Sequence, residues 1–567
     1  MHGPPATEES HQIEALTQAV EELRRRIAAL EQRSAGITPV ANLVPYTAPA
    51  AIPAADLTDV SPGILSGLGR LLLGIAGAYL LRAITEAGLV PQLAGTSMGL
   101  LYAAGWLVSS ARISIGHRLS VVMHGIVAAC VLAPLLWEAT VRFHSMPAAV
   151  SALVLALFVI LGQTFAWRRD HSALAGVTAF AGSATAVALI IATLNPVPFA
   201  VALALAAAVV EFGAWRDRAL AWRWIAALAC DFCGVLLLYL VTRPQGLPEG
   251  YAPIPVAAVA ALLIALVATY VASTALRTLA RGIAITWFEV LQLALAAALA
   301  IAGGLRMSHG AAPWPMLIAL TCLVFGAACY LAAFTGLAAA RNFHAYATFA
   351  LWLVLIGAAL LPGAPILWST LALLAAAFAT RRTGTTPALH SAIYLIAAAS
   401  ASGLLAFAAG ALTGAAALRS SSLNAASILC AICAAATYAL ALRSRKPGAP
   451  AWNERVPGTL VAALLCWTLA GLASRALLRL PVEAALASTV RTTTLSAVAI
   501  GLAWFGSRKG LRELIWVLFP WMLFGAVKLV AEDFQQGRSA TLFLSLLVYG
   551  GTLIALPRLL KRDSRPA

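Results

Sequence analysis

The sequence predicts an all-α protein, a polytopic bundle of about 18 transmembrane helices with a short cytoplasmic coiled-coil helix ahead of it. Three observations carry that reading. Apolar stretches of roughly 17–25 residues recur from Gly63 to Pro557, the length a helix needs to cross the hydrocarbon layer. Hydrophobic residues make up 61% of the chain and charged residues 11%, too few charges to give this many helices a polar face in water. Basic residues fall singly or in short runs between the apolar stretches, mostly in every second gap. The net charge of +16 therefore reads as membrane topology. No continuous basic face interleaved with stacking aromatics is present, and no nucleic-acid partner is expected.

The first element is the segment 8–33. Ile13, Leu16, Val20, Leu23, Ile27 and Leu30 repeat at a 3-4-3-4-3 spacing, the a/d seam of a coiled coil. Glu21 with Arg25 and Glu22 with Arg26 support the helix from outside the seam. In a parallel dimer Arg26 at g faces Glu31 at e, an attractive pair. So short a coiled coil is marginal alone, but tethering to a membrane raises its local concentration. Self-association through this seam stands beside two alternatives, a helix lying on its own membrane domain and a different partner.

Residues 34–62 lose all periodicity. Pro39, Pro45, Pro49 and Pro53 recur among Ala, Thr and Val, the composition of an extended, semi-stiff linker. The acidic start and amphipathic helix before Ser34 do not read as a secretory signal. Ser61 followed by Pro62 reads as an N-cap and first-turn pair opening the membrane domain, 63–557.

The predicted spans are 63–86, 89–111, 119–141, 147–167, 173–194, 196–215, 221–242, 252–276, 281–305, 313–338, 343–361, 364–380, 388–412, 423–443, 456–474, 487–506, 511–531 and 539–557. Two depart furthest from the apolar pattern: the first carries Arg70 and Arg82, and 487–506 carries Arg491 and a Thr run. Short loops predict antiparallel neighbours. The even-numbered gaps and the basic tail 558–567 hold 23 Lys and Arg, the odd gaps 7. The positive-inside rule then puts both termini in the cytoplasm.

No loop is long enough to fold a catalytic domain, so chemistry must use helix side chains. Ionisable residues within spans are costly and are functional candidates for that reason. Asp231 falls near the middle of 221–242, within Cys230-Asp231-Phe232-Cys233. Glu289 lies about two turns into 281–305, with Gln292 on the same face at i+3. Either acid could bind a cation or relay a proton; the alternative is a carboxyl bonded to a neighbouring helix. Glu211 reads as a side chain reaching toward the interface, and His124 as a hydrogen-bonded core residue. The CxxC spacings Cys230/Cys233 and Cys430/Cys433 lie inside apolar helices, where cysteine behaves as a small hydrophobe. No pattern calls for a metal or a cofactor.

Packing signals are ordinary. Gly63 with Gly67, Gly410 with Gly414, and the Ala/Ser-rich run 397–417 allow close helix approach. Pro520 is expected to kink its helix. The stretches 165–170 (FAWRRD) and 212–217 (FGAWRD) form a weak internal repeat, each ending a span.

Three stretches together resemble a family of large polytopic bacterial membrane proteins catalogued as a domain of unknown function with an N-terminal coiled coil. They are Gly69-Arg70-Leu71-Leu72-Leu73-Gly74 continuing through Arg82, Glu86, Gly88 and Pro91; the run from Leu100 to Ala184; and Lys528-Leu529-Val530-Ala531-Glu532-Asp533 with Arg538 and Gly550. The chain departs from that pattern at Gln92-Leu93-Ala94. The resemblance implies a many-helix fold in the bacterial inner membrane and no established activity. It also points to Arg82/Glu86 and Lys528/Glu532, each a base with an acid at i+4. If their helices are neighbours, these four with Asp533 and Arg538 form a charge cluster at the outer face, and Arg70 could join it. Such a cluster could bind an anionic head group or only pin helix ends. Three function classes follow: a transporter, lipid translocator or other conduit; an envelope scaffold using the coiled coil; and, least in keeping with the isolated Glu249 and Glu483, a glycan or acyl transferase.

Overall fold

The computed structural model describes residues 57–113, 118–218, 222–335, 340–381, 385–415, 422–444, 452–481, 486–536 and 539–560, together with Glu21 and Glu483. The coiled-coil seam 13–30, most of the linker, Arg538, the tail after Leu560 and the side chains of Arg70 and Glu86 lie outside the described residues. Contacts divide the chain into two units, Met1–Gly69 and Arg70–Ala567.

Among the described residues the fold is helical throughout, without a strand. The helices are α1 (Leu57–Glu86), α2 (Gln92–Arg112), α3 (Arg118–Trp137), α4 (Ala148–Arg169), α5 (Ser172–Thr193), α6 (Pro196–Trp215), α7 (Arg223–Val241), α8 (Val256–Ala275) and α9 (Trp287–Met307). They continue as α10 (Trp314–Thr335), α11 (Ala340–Ala359), α12 (Ala364–Arg381), α13 (Thr385–Ala401), α14 (Leu404–Thr413) and α15 (Ala425–Arg443). The last four are α16 (Trp452–Leu477), α17 (Ala487–Lys509), α18 (Arg512–Lys528) and α19 (Ser539–Leu560). Every predicted apolar segment but 388–412 coincides with one helix. Fourteen are long and apolar enough to cross a membrane, or fifteen if the bent pair α13–α14 is one span.

Helices α1, α2 and α17 fall short of that measure. Of α1 only Leu71–Thr85 forms an apolar stretch among the described residues. In α2 and α17 polar side chains cause the shortfall: α17 carries Arg491, and both helices carry several hydroxyls, some of which bond back to their own helix. Ser97 Oγ donates to Leu93 O at 2.8 Å, and Thr493 and Thr494 donate to Thr489 O and Val490 O at 2.8 and 2.9 Å. Such back-bonding satisfies the hydroxyl without a partner helix.

Two boundaries correct the sequence reading. Helix α1 is already helical at Leu57, so Ser61 and Pro62 lie inside it and do not open it. The predicted span 388–412 breaks into α13 and α14, bent by 68°. Gly403, at φ 79°, takes the left-handed conformation that makes the bend. The carbonyl of Ser402 accepts instead from Asn424 Nδ2 at 3.2 Å and Ser427 Oγ at 2.9 Å on the α15 side. A backbone break away from water is tolerated because neighbouring side chains re-satisfy it.

Buried apolar side chains form three clusters, one within α2–α9, one within α11–α16 and one joining α14 and α16–α19. The outward faces are also apolar: Phe180, Ile264, Val324, Phe519 and Phe543 are between 63% and 66% exposed. Large exposed side chains of this kind on so many helices fit lipid rather than water. The chain is thus built as a multi-pass membrane protein.

The internal repeat serves as a helix stop. Asp170 and Asp217 both sit at φ 58°, in the left-handed position after α4 and α6. Arg218 binds Asp170 at 2.6 Å, and Arg281 binds Asp217 at 2.9 Å. The two repeats also meet each other, Trp167 lying 5.8 Å from Phe212, ring centre to ring centre. Close approach elsewhere uses small residues as the sequence predicts: a Cβ on Gly471 in α16 would lie 2.6 Å from the backbone Cα of Ala408 in α14. Gly471→Ala is therefore expected to lower the melting temperature of detergent-purified protein by several degrees. Gly458→Ala, where nothing lies within 4 Å of the added carbon, should leave it unchanged or slightly raised.

Candidate functional site: ion-pair clusters and an amphipathic cleft

Four helix ends meet in the first cluster. Arg223, the first residue of α7, donates from Nε to Glu211 Oε1 at 2.9 Å and from Nη1 to Glu289 Oε1 at 2.9 Å. Arg277 donates to the same Glu289 oxygen at 2.5 Å, and Ser273 Oγ to Glu211 Oε2 at 2.6 Å. Glu289 also closes a capping box on α9, accepting from Thr286 N at 2.8 Å. All four charged residues are no more than 3% exposed. A cation at a helix N-terminus opposes the helix dipole, so Arg223 would be unfavourable there without its two carboxylates. Because Glu211 and Arg277 close the ends of α6 and α8, while Arg223 and Glu289 open α7 and α9, neighbouring helices run in opposite directions through this layer.

One layer further along the same helices, Gln292 Nε2 of α9 donates to Asp231 Oδ1 of α7 at 2.9 Å. Both residues are 6% exposed. Unlike Glu211 and Glu289, Asp231 faces an amide and no cation.

The second ion cluster joins α17 to the end of α18. Lys528 Nζ donates to Ser488 O at 2.7 Å, Thr492 Oγ1 at 2.8 Å and Asp533 Oδ1 at 2.5 Å. Thr492 Oγ1 donates to Asp533 Oδ2 at 2.6 Å, and Arg491 pairs with Glu532. Glu532 Oε2 lies 3.4 Å from Lys528 Nζ. The residues 529–533 form a π-turn. In an α-helix, residues five apart point away from each other; the wider turn brings Lys528 and Asp533 to one face. Parallel π-turns end α3 (Glu138–Arg142) and α8 (Leu276–Ala280), and each carries a charged member of a cluster.

The third grouping lines a cleft of about 550 Å³ between α1, α2 and α3. Ile75, Ala78, Leu81, Val131 and Leu135 form its apolar wall, Thr85, Gln92 and Thr96 add hydroxyls and an amide, and Arg82, Glu138 and Arg142, toward the helix ends, form its charged rim. Arg82 pairs with Glu138 at 2.7 Å. Pro134 lies inside α3 and cannot donate to the carbonyl of Cys130, and both residues line the cleft.

The sequence candidates are thus redistributed. Asp231 and Gln292 meet, and Glu289 sits a turn before Gln292 but in the ion cluster. Lys528, Glu532 and Asp533 gather with Arg491, and Arg82 pairs with Glu138; none of the described ion pairs joins a charge of α1 to one of α18. Arg70, Glu86 and Arg538 fall outside the described side chains. Glu211 is no interfacial side chain but a buried one, because Arg223 and Ser273 hold it inside. Arg223 and Arg277, counted as loop charges, are buried too; without them the asymmetry stands at 21 against 7. His124 Nδ1 donates to Ser120 O, 2.7 Å away, and the half-buried ring packs on Trp106. Among the described residues no group of three or more His, Cys, Asp or Glu converges on a metal position.

No protein-family model, curated protein or solved structure matches this chain. The functional reading therefore rests on the geometry above.

Breaking a buried ion pair leaves an uncompensated charge and costs about 3–5 kcal/mol, whereas an exposed pair contributes about 0–1 kcal/mol. Arg223→Leu is thus expected to lower thermal stability sharply. Arg218→Ala, which removes a half-exposed pair with Asp170, should change it little; equal losses from both would contradict this assignment.

Proposed function

We propose that this protein is a membrane conduit for an amphiphile, a lipid or lipid-linked molecule admitted through the cleft between α1, α2 and α3. The observation that carries the reading is the cleft's division into an apolar wall and a charged rim, the surface a molecule with a tail and a polar head requires. The proline and π-turn in α3 support it. Irregular backbone at membrane depth is tolerated where it lines a cavity or is covered by protein. The proposal includes about 18 spans and both termini in the cytoplasm, on the strength of the basic asymmetry between alternate loops. On that orientation the cleft opens toward the outer leaflet. The resemblance to polytopic bacterial proteins is in keeping with this, and the proposal includes a place in the inner membrane. Self-association through the 13–30 seam would assemble copies of the conduit without forming it.

Two experiments test the proposal. Native mass spectrometry of detergent-purified protein should show a retained lipid, reduced at least tenfold in Ala78→Trp, which fills the cleft. Equal retention would remove the cleft from the mechanism. Reporter fusions after Arg169 and after Arg243 should report cytoplasmic and external positions respectively, and the reverse result would invert the orientation.

A further inference from the structure

We infer that Asp231, held by Gln292, is a proton-binding site set between α7 and α9. This goes beyond the conduit reading and does not depend on the cleft. The argument begins with what surrounds the carboxyl. Helices α5, α6, α8 and α9 pack against α7. Their titratable side chains are Glu211, Tyr270, Glu289 and Arg306, with Arg277 in the turn that ends α8. Glu211, Glu289 and Arg277 are bound into the Arg223 cluster, whose Arg223 lies about two turns from Asp231 along α7. Arg306 sits near the opposite end of α9, and Tyr270 is a phenol. Among the described residues no ion pair to Asp231 forms, and an unpaired buried carboxylate is costly.

The observed partner can serve both forms, and its one observed bond donates to the carboxylate. A carboxylic acid and an amide are complementary through two hydrogen bonds: the amide N–H donates to one acid oxygen, and the acid O–H donates to the amide carbonyl. An ionised carboxylate can make only the first. The bond from Gln292 Nε2 to Asp231 Oδ1 is in place, and a proton on Oδ2 supplies the second donor. The step is simple proton uptake: water or hydronium gives up a proton, and the Asp231 carboxylate becomes a neutral acid. A metal cation is a poorer occupant, since it requires several oxygen ligands and the amide presents its nitrogen here. The two contacts between α7 and α9 thus differ in kind. Arg223–Glu289 is an ion pair with permanent partners, while Asp231–Gln292 gains or loses a hydrogen bond with one proton.

The test uses the full chain in lipid nanodiscs and the hydrophobic reagent dicyclohexylcarbodiimide, which modifies protonated carboxyls in apolar surroundings. Peptide mass spectrometry should find Asp231 modified at about pH 5 and increasingly protected toward about pH 9, with a single half-labelling pH. Asp231→Glu should remain reactive at this position. Gln292→Leu, which removes the donor to the ionised form, should move half-labelling upward by about one pH unit. Infrared difference spectra between the two pH values should show loss of a protonated-carboxyl band, absent from folded Asp231→Asn. Protein in which Asp231 is never modified, or is modified equally at every pH, with no such band, would overturn the inference. Failure of lipid retention in Ala78→Trp has no bearing on this result.

Discussion

In a chain solvated by hydrocarbon, a charge or a backbone carbonyl that leaves its helix must find its partner inside the protein. The rest of the architecture follows from that constraint. The described ion clusters are charge-balanced where they are most buried: Arg223 and Arg277 face Glu211 and Glu289, and Lys528 and Arg491 face Glu532 and Asp533. Each sits where helices end, and each uses a π-turn to widen the helix just where extra polar groups must be turned inward. The same rule governs the bend at Gly403, where Ser402 O is taken up by Asn424 and Ser427 rather than left to lipid.

Much of this was legible in the sequence, and what was not has a definite cause. Apolar length marks a helix whatever packs against it, so each predicted segment but 388–412 falls on one helix, of which fourteen or fifteen are long and apolar enough to cross a membrane. Where a charged side chain turns depends on tertiary contact. The positive-inside rule treats every arginine near a span end alike, and so it counted Arg223 and Arg277 with the exposed Arg218 and Arg281. A local signal was available: Glu211 and Arg223 stand twelve residues apart across one loop, and Arg277 and Glu289 twelve apart across another. An acid and a base facing across a short turn between antiparallel helices are positioned to meet. The i,i+4 pairs Arg82/Glu86 and Lys528/Glu532 misled for the opposite reason. Their similarity suggested one network, but α1 packs with α2 and α3, while α18 packs with α17. An acid partner of each base outside its i,i+4 spacing, Glu138 or Asp533, comes from a π-turn that spacing alone does not reveal.

Two acids of the same pair of helices show how partner chemistry divides roles. Glu289 is fixed by two guanidinium groups and a capping box, and its charge helps hold four helix ends together. Asp231, two turns deeper on α7, has an amide in place of a cation. Burying a balanced ion pair is seldom more stabilising than packing apolar side chains in the same space. Its value lies in geometry, since ion pairs fix which helix ends meet. A fixed layer beneath a neutral polar contact is what a helix pair needs if its deeper contact is to change with one proton while its ends stay in register. The cleft beside α3 follows the same division, because the Arg82–Glu138 pair closes its rim and the wall behind it carries no charge that a lipid tail would have to displace.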